Sequence, residues 1–181
     1  MAIYKETIQL KSHGVTPTFL DITPQVKEAI ANSGIQDGIV IALTAHTTCS
    51  VFFEEFVHDY VGGDGIDKDT EFLQIDLNKC LQKIVPDQME MPPAGGYMYP
   101  GEAHFVDVES WPNAAEYLPD GDRHALLNAD AHIKATMLGN SATLEVIDGK
   151  LGVGSTGYIY FVDFDRTRER PRKARVIVMG E

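Results

Sequence analysis

The sequence predicts a single α+β domain in which about three helices are set among the strands of a largely antiparallel sheet. Several short segments alternate polar and apolar residues, which is the pattern of half-buried strands. Strong turn signals join neighbouring strands, and the helical segments do not alternate regularly with strands as they do in parallel βαβ folds. The chain has 181 residues, 44% hydrophobic and 23% charged, which are ordinary values for one globular core.

Strand signals occur along the whole chain as period-two patterns or short apolar runs bounded by turn residues. They cover residues 4–10, 18–22, 39–43, 51–53, 143–147, 151–154, 158–162 and 175–179. The run at 39–43 is nearly continuous in apolar residues, which predicts a strand that is covered on both faces. Asp148-Gly149 is a strong hairpin signal between two of the strands.

Helix signals occur in three places. A Thr-Pro pair at residue 23 predicts a helix start, and Gly34 predicts its end. Apolar residues at helical spacing over 73–84 predict a second helix, with Cys80 on its buried stripe. A third helix is predicted over 129–138, where Gly139 stops it.

The stretch from about residue 86 to residue 127 has the character of an expanded loop region. Residues 89–101 are rich in proline, glycine and methionine, so we predict a long connection there rather than a helix or strand. Loops of this length are uncommon in compact domains and are often functional. No repeat or linker divides the chain, so residues 1–181 are predicted to form one domain.

The charge of the chain restricts its partners. A formal net charge of −12 disfavours binding to nucleic acids and to anionic membrane surfaces. Six basic residues nevertheless crowd into ten positions near the C-terminal end. They are Arg166, Arg168, Arg170, Arg172, Lys173 and Arg175. This cluster is either a solvated charged turn or a local anion pocket, and the sequence leaves both interpretations open.

Nothing in the sequence indicates secretion or membrane insertion. There are two cysteines and no CxxC pair, which is too sparse for a disulfide-built secreted domain. The first residues carry no cationic segment followed by an apolar run, and no apolar stretch approaches about 18 residues. We therefore expect a cytoplasmic protein.

Three of the six histidines occur where a site is expected. His46 ends a predicted buried strand, His104 follows the long loop, and His132 begins the third helix. Three histidines with an open position are a known zinc arrangement, although separate polar residues fit the spacing as well. His124, eight residues before His132, is the rival of His104. Glu55 is expected to point inward from its strand, where a carboxylate needs a partner or a metal.

Nucleotide-binding signatures are absent. There is no GxxxxGK[ST] loop and no GxGxxG between a strand and a helix. The glycine-rich residues 152–157 follow a hairpin turn and lead into a strand, so no helix N-terminus is available there to hold a phosphate.

Three segments resemble the YjbQ-like family in order, spacing and residue type. They are LTAHTTCSV from residue 43 with its continuation to Glu55, NADAHIKATMLGNS from residue 128, and IDGKLGVG from residue 147. The resemblance extends over nearly the whole chain. It implies an α+β homotrimer and the activity ascribed to the family, a secondary thiamine-phosphate synthase. That reaction joins hydroxymethylpyrimidine diphosphate to thiazole phosphate and releases pyrophosphate, so the partner is a small phosphorylated molecule.

The resemblance also implies the site residues. His46 and His132 match the family's site histidines and His104 the third, while Glu55, Asp163 and Arg172 match its acidic and basic positions. A divalent metal held by His46, His104 and His132 is expected to stabilise the leaving pyrophosphate, with help from Arg172 or Lys134. Histidine ligands favour a zinc-like ion, and pyrophosphate chemistry makes magnesium possible. The alternatives are a metal-dependent hydrolase of another small substrate and a non-catalytic trimeric protein that binds a metal or an anion.

The chain departs from the family pattern in two places. Residues 154–157 read Gly-Ser-Thr-Gly where the family has Gly-Thr-Trp-Gln, so a stacking ring and an amide are missing. Residues 89–123 are expanded and carry the sole tryptophan, Trp111, with several tyrosines. This expansion is expected to supply a replacement lid.

Overall fold

Eight strands form two antiparallel sheets in the computed structural model, which describes all 181 residues. The larger sheet has the order β1 (Ala2–Ser12), β8 (Arg170–Gly180), β3 (Gly38–Thr44), β5 (Ser141–Ile147), β6 (Lys150–Leu151). The smaller sheet has the order β2 (Thr18–Asp21), β7 (Gly157–Asp163), β4 (Cys49–Glu55). Every pairing is antiparallel, and β1 pairs with β8 along its whole length. The predicted α+β class and the antiparallel sheet are confirmed.

Five α-helices accompany the sheets, two more than the sequence predicts. They are α1 (Thr23–Ser33), α2 (Phe72–Ile84), α3 (Glu102–Glu109), α4 (Ala114–Tyr117) and α5 (Ala129–Leu138). The two additional helices, α3 and α4, both lie in the stretch predicted as loop. Short 3-10 turns accompany them at Ala94–Gly96, Pro119–Gly121 and Arg123–Leu126. None of the helices has the length and apolar character needed to cross a membrane.

The main core lies between the two sheets and α1. Val26 of α1, Val51 of β4, Phe161 of β7 and Val176 of β8 are 0% exposed within it. Full burial of side chains of this size stabilises the fold by about 1.5–3 kcal/mol each relative to exposure. The far face of the smaller sheet is covered by α5 and α2, with Leu81, Ala131, Ala135, Val162 and Phe164 in contact. The smaller sheet is thus covered on both faces.

The helix ends follow local chemistry. Gly34 ends α1 with a φ of 68°, a left-handed conformation that favours glycine. Glu71 and Gln74 form a reciprocal capping box at the start of α2, which the sequence analysis did not identify. The prediction that Cys80 is a core thiol is wrong, because Cys80 lies on the exposed side of α2.

Two strand predictions differ in detail. Asp148 and Gly149 have φ values of 51° and 67° and turn β5 into β6 as predicted, although β6 is only two residues long. Strand β3 buries Val40, Ala42 and Thr44 on one face but leaves its other face half-exposed. The expectation that both faces of β3 are covered is therefore wrong for the single chain.

Candidate functional site

A cleft of about 760 Å³ opens where β8 begins, beside the loop between β3 and β4. One wall is built from that loop, the start of α5 and the residues before and in β8. The opposite wall comes from residues 99–126, in the stretch predicted as an expanded loop. A volume of this size suits a small organic ligand. The cleft brings together the three predicted histidines, His46, His104 and His132, with Arg172.

His46 is fixed by the β3–β4 loop. Its Nε2 accepts a hydrogen bond from the backbone N–H of Lys173 at 3.1 Å, and the backbone N–H of His46 donates to the Thr44 hydroxyl at 3.3 Å. An imidazole nitrogen that accepts a hydrogen bond carries no proton, so neutral His46 has its proton on Nδ1. Burial, and then the neighbouring Arg172, lower the pKa of His46. The ring is therefore neutral at pH 7 and offers an N–H.

Tyr99 connects the other two histidines. Its hydroxyl shares a hydrogen bond with Nε2 of His104 at 2.9 Å. The ring of Tyr99 stands edge-on to His132, with 5.7 Å between ring centroids. Burial lowers the pKa of His132, so this ring is also neutral at pH 7. His124 is exposed, bonded to Asp122 at 2.9 Å and outside the cleft, so the cleft contains His104 rather than its rival.

Three arginines at alternate positions form the cationic part of the cleft. Arg172 donates from Nε to buried Asp163 at 2.7 Å and from its NH2 nitrogen to the Thr48 hydroxyl at 3.3 Å. Arg170 pairs with buried Asp165 at 2.8 Å. Their positive charges are therefore offset by carboxylates that lie beneath them.

Arg168 differs from its two neighbours because it makes no ion pair. Its NH1 nitrogen donates to the Ala125 carbonyl at 3.0 Å, and its guanidinium lies 5.4 Å from the centroid of the Tyr117 ring. Burial, followed by the charge of Arg170, lowers the pKa of Arg168 to about 10. A lowered pKa means that the charged form lacks compensation, and a bound anion could supply it.

Glu55 lies away from the cleft, contrary to expectation. It is exposed at the far end of β4, where it pairs with Gly157, whereas Cys49 and Asp163 pair at the cleft end. Six residues of strand separate the two ends by roughly 20 Å. The side chain that turns inward is that of Glu54, which is half-buried. The prediction that Glu55 is the inward carboxylate is wrong.

Lys134 also lies away from the cleft. Its side chain is 0% exposed, and its Nζ donates to Asp87 at 2.6 Å and to Asp130 at 3.1 Å. Arg166 lies beside the same two carboxylates. The ammonium group therefore ties α5 to the start of the 86–127 stretch, and it does not reach the cleft.

Asn128 is a cleft residue that was not predicted from the sequence, although it begins the NADAHIKATMLGNS segment that contains His132. It is 6% exposed, its amide donates to Asp165 at 2.9 Å, and its Oδ1 has no hydrogen-bond partner. Its position at the start of α5 is the signal that could have identified it. Tyr99 was missed as well, because its role depends on contacts with residues distant in sequence, such as His132.

The histidines are not preassembled as a metal site. No group of three or more His, Cys, Asp or Glu side chains is positioned to hold an ion. His46 would have to give up its bond to the Lys173 N–H to bind an ion through Nε2. The metal ion expected from the sequence therefore stays a prediction.

Comparison with known proteins agrees with the fold and the segments described above. The family model described as UPF0047 protein YjbQ-like matches residues 6–181. The chain belongs to the YjbQ-like family. A UPF0047 protein of Methanothermobacter thermautotrophicus is 26% identical over 181 residues, covering 100% of this chain and 95% of that protein. A UPF0047 protein of Archaeoglobus fulgidus is 31% identical over 161 residues, covering 88% and 87%.

Solved structures of YjbQ-like proteins share the architecture. A protein from Sulfolobus solfataricus, described as YbjQ-like and of unknown function, superposes with a TM-score of 0.66 at 24% identity and covers 99% of both chains. A YjbQ/UPF0047 family protein from Clostridium acetobutylicum gives a TM-score of 0.63 at 25% identity, covering 96% of this chain and 99% of that one. Family and fold are thus shown.

Proposed function

We propose that this YjbQ-like chain is an enzyme that binds a small phosphorylated substrate in the cleft and releases pyrophosphate from it. The proposed activity is that of a secondary thiamine-phosphate synthase, which joins hydroxymethylpyrimidine diphosphate to thiazole phosphate. The observation that carries the proposal is the grouping of Arg168, Arg170 and Arg172 with neutral histidines in one cleft of a chain with net charge −12. An acidic protein that gathers cations locally is suited to attract an anion to that place.

The reaction needs the protein mainly to stabilise negative charge. The bond between the pyrimidine CH₂ carbon and the pyrophosphate oxygen breaks, and its electron pair leaves with pyrophosphate. The thiazole nitrogen then supplies the electron pair of the new C–N bond. The pyrimidine ring donates electrons to the developing carbocation, so fixed donors aimed at the leaving group lower the barrier.

The cleft residues fit this task in different ways. Arg168 lacks a carboxylate partner and is the cation most available to a phosphate oxygen. Arg170 and Arg172 are held in place by Asp165 and Asp163, so they present oriented N–H groups. The Nδ1–H of His46 adds a neutral donor.

The test is release of pyrophosphate from hydroxymethylpyrimidine diphosphate, measured with and without thiazole phosphate. We expect His132→Ala to reduce release by at least about 100-fold while the melting temperature shows that the fold persists. The matched control is His58→Ala, because His58 is exposed and lies outside the cleft. Release that is unaffected by His132→Ala would end the catalytic assignment.

The same assay separates the alternatives. Release that does not require thiazole phosphate would favour a hydrolase. Binding of pyrophosphate without turnover of any diphosphate would favour an anion-binding protein, for which the unpaired charge of Arg168 is the supporting observation.

We propose separately that the cleft histidines bind a divalent metal ion, either a zinc-like ion or magnesium. Neutral imidazoles are the protonation state that a metal needs, and the lowered pKa of His46 and of His132 supports this part. The check is metal content of protein purified without added metal or chelating resin.

A homotrimer is the proposed assembly. Its support is an apolar row on the outer face of the larger sheet, where Met179 of β8 pairs with Ile3 of β1 and with Ile39 of β3. Ile3 is 56% exposed and Ile39 is 39% exposed in the single chain. Sedimentation that gives a monomer at micromolar concentration would contradict the assembly.

A further inference from the structure

The wall of the cleft formed by residues 99–126 is aromatic, whereas the opposite wall carries three arginines, and its one carboxylate, Glu169, is paired with Lys11 at 2.7 Å. Trp111 and Tyr117 line the cleft and contact each other edge to face, with 5.0 Å between ring centroids and 89° between ring planes. Trp111 is 36% exposed, so much of one ring remains free toward solvent and the cleft. A free aromatic surface beside cations is suited to a planar ligand that carries a negative group.

The aromatic pair is supported by a small core of its own. Tyr117 packs against a cluster of four residues that are each 2–4% exposed, namely Phe105, Val108, Leu118 and Leu126. Arg123 stabilises this cluster from the surface, because its guanidinium donates hydrogen bonds to both Glu102 and Glu109 at the two ends of α3. The rings are therefore mounted on a packed unit rather than on a loose loop, as a ligand-binding surface requires.

The two walls meet at Arg168. Its guanidinium, 5.4 Å from the centroid of the Tyr117 ring, belongs to the cationic wall and touches the aromatic one. A ligand whose ring and phosphate are only a few bonds apart can therefore contact both walls at once.

Glu116 places a negative charge on the aromatic wall. It lines the cleft, and its carboxylate accepts a bond only from the amide of Asn113, at 3.2 Å. A phosphate placed against this wall would be repelled, whereas a ring amino group or a protonated ring nitrogen would find an acceptor. The charges thus orient a ligand with its ring toward Trp111 and its phosphate toward the arginines.

We propose that Trp111 and Tyr117 form a ring-binding subsite for an amino-substituted heterocycle whose phosphate is held by Arg168 and Arg170. This inference rests on the proposed function, because it assigns the two parts of one substrate to the two walls of the same cleft. Trp111 is accordingly a residue that determines specificity.

Trp111 is the only tryptophan in the chain, so its fluorescence reports directly on this wall. The probes are inorganic pyrophosphate, which has no ring, and the monophosphate ester of 4-amino-5-hydroxymethyl-2-methylpyrimidine. Titration of the wild-type protein with the ester should change Trp111 emission, whereas pyrophosphate should bind with a much smaller change. Calorimetry gives the affinities for all variants, including those without tryptophan.

The decisive variant is Trp111→Ala. We expect its affinity for the ester to fall about tenfold, because the heterocycle loses the aromatic ring on which it stacks, while its affinity for pyrophosphate stays unchanged. Trp111→Phe keeps an aromatic ring and should restore the ester affinity to within about threefold of wild type. The matched control is Val106→Ala, because Val106 is 55% exposed on α3 and does not line the cleft.

Two results would overturn the subsite. One is an equal loss of affinity for both probes in Trp111→Ala, which would indicate general damage to the cleft. The other is an unchanged ester affinity in that variant. An ester that does not bind wild-type protein at all would likewise rule out the subsite. Failure of the proposed function is a different result: no pyrophosphate is released from the diphosphate, although the difference between the two probes persists.

Discussion

The two ends of the smaller sheet differ in whether a buried carboxyl group has hydrogen-bond and ion-pair partners. At the cleft end, Asp163 is 0% exposed and both of its oxygens are bonded, to Arg172 at 2.7 Å and to the Thr48 hydroxyl at 3.1 Å. At the far end, Glu54 is half-buried and its Oε2 has no partner. Burial, followed by the charge of Glu71, raises the pKa of Glu54 to about 7.

The difference shows where the chain can hold charge. Burying an ion is costly unless an opposite charge and hydrogen bonds offset the loss of water. Asp163 meets that requirement and keeps Arg172 oriented at the cleft. Glu54 does not, so it takes up a proton near neutral pH. The buried carboxylate that is paired with a cation therefore lies at the cleft end of the sheet, where Arg172 can contact a ligand.

The largest effect is expected from breaking the compensated pair. Asp163→Ala leaves the guanidinium of Arg172 buried without its partner, which should lower the free energy of unfolding by about 3–5 kcal/mol. Urea unfolding at pH 7 measures this loss. A loss below about 1 kcal/mol would mean that the pair behaves like a surface ion pair and that the two ends do not differ as described.

Lys134 extends the comparison to a third buried set of charges. Lys134→Met leaves Arg166 as the only cation beside Asp87 and Asp130, at 3.5 Å and 3.6 Å, and should lower the free energy of unfolding by roughly 2–3 kcal/mol. Urea unfolding gives the value. Proteolysis of residues 89–98 should accelerate, because Lys134 ties Asp87, just before that stretch, to α5. Adding Asp130→Leu removes one of the two carboxylates that have lost the ammonium group, so that Arg166 faces Asp87 alone, and should restore part of the stability. A double variant less stable than Lys134→Met would contradict this account.

At the far end of the smaller sheet, removing the buried carboxyl group should raise the free energy of unfolding instead of lowering it. The folded pKa of Glu54, about 7, lies above its ordinary value of 4.5, so the unfolded chain releases the proton first. Glu54 therefore makes the fold progressively less stable as the pH rises from about 4.5 through 7. Glu54→Gln should raise the free energy of unfolding by about 1 kcal/mol at pH 8, allowing for partial exposure, and by almost nothing at pH 4, below the unfolded pKa. Thermal unfolding at both pH values tests this. The control is Glu55→Gln, because Glu55 is the exposed neighbour of Glu54 on the same strand.

The smallest effect is expected for an ion pair that remains in water. Lys79 and Asp76 lie 3.7 Å apart on α2 with side chains 64% and 70% exposed. Asp76→Ala should change the free energy of unfolding by less than about 0.5 kcal/mol. A larger change in urea unfolding would show that exposure does not separate the strong pairs from the weak ones.

Local signals in the sequence located most of the regular structure. The bounds of α5, 129–138, were predicted because its start and its terminal glycine are local features. The helices α3 and α4 were missed because they are short, and because their stability comes from a four-residue core and from Arg123, fourteen residues beyond the end of α3. Contacts of that kind leave no periodic pattern.

The error at Glu55 has a geometric cause. Residues 49–51 of β4 are all buried, since the main core covers one face of the smaller sheet and α5 covers the other. The main core does not extend to the far end of β4, so Phe53 and Glu55, on the face that it covers elsewhere, are exposed there. Glu54 points to the opposite face of the strand and is half-buried. Alternation alone could not show which layer ends first.

The cleft itself was only partly predictable. Motifs supplied His46, His132 and Arg172, but the choice between His104 and His124 depends on how residues 86–127 fold over the sheet. The cationic role of the arginine cluster depends on which of its members meet buried carboxylates. Asp163 and Asp165 supply these for Arg172 and Arg170, and Asp130 for Arg166, whereas Arg168 has none.

The position of β8 in the larger sheet determines when the site can form during synthesis. Residues 170–180 lie between β1 and β3, which do not pair with each other. On the ribosome, β1 and β3 emerge long before the strand that joins them, and their inner edges stay unpaired until it arrives. The same strand carries Arg170 and Arg172, so closure of the sheet and assembly of the cleft are one late event. Such long-range pairing is slow and leaves strand edges open to association.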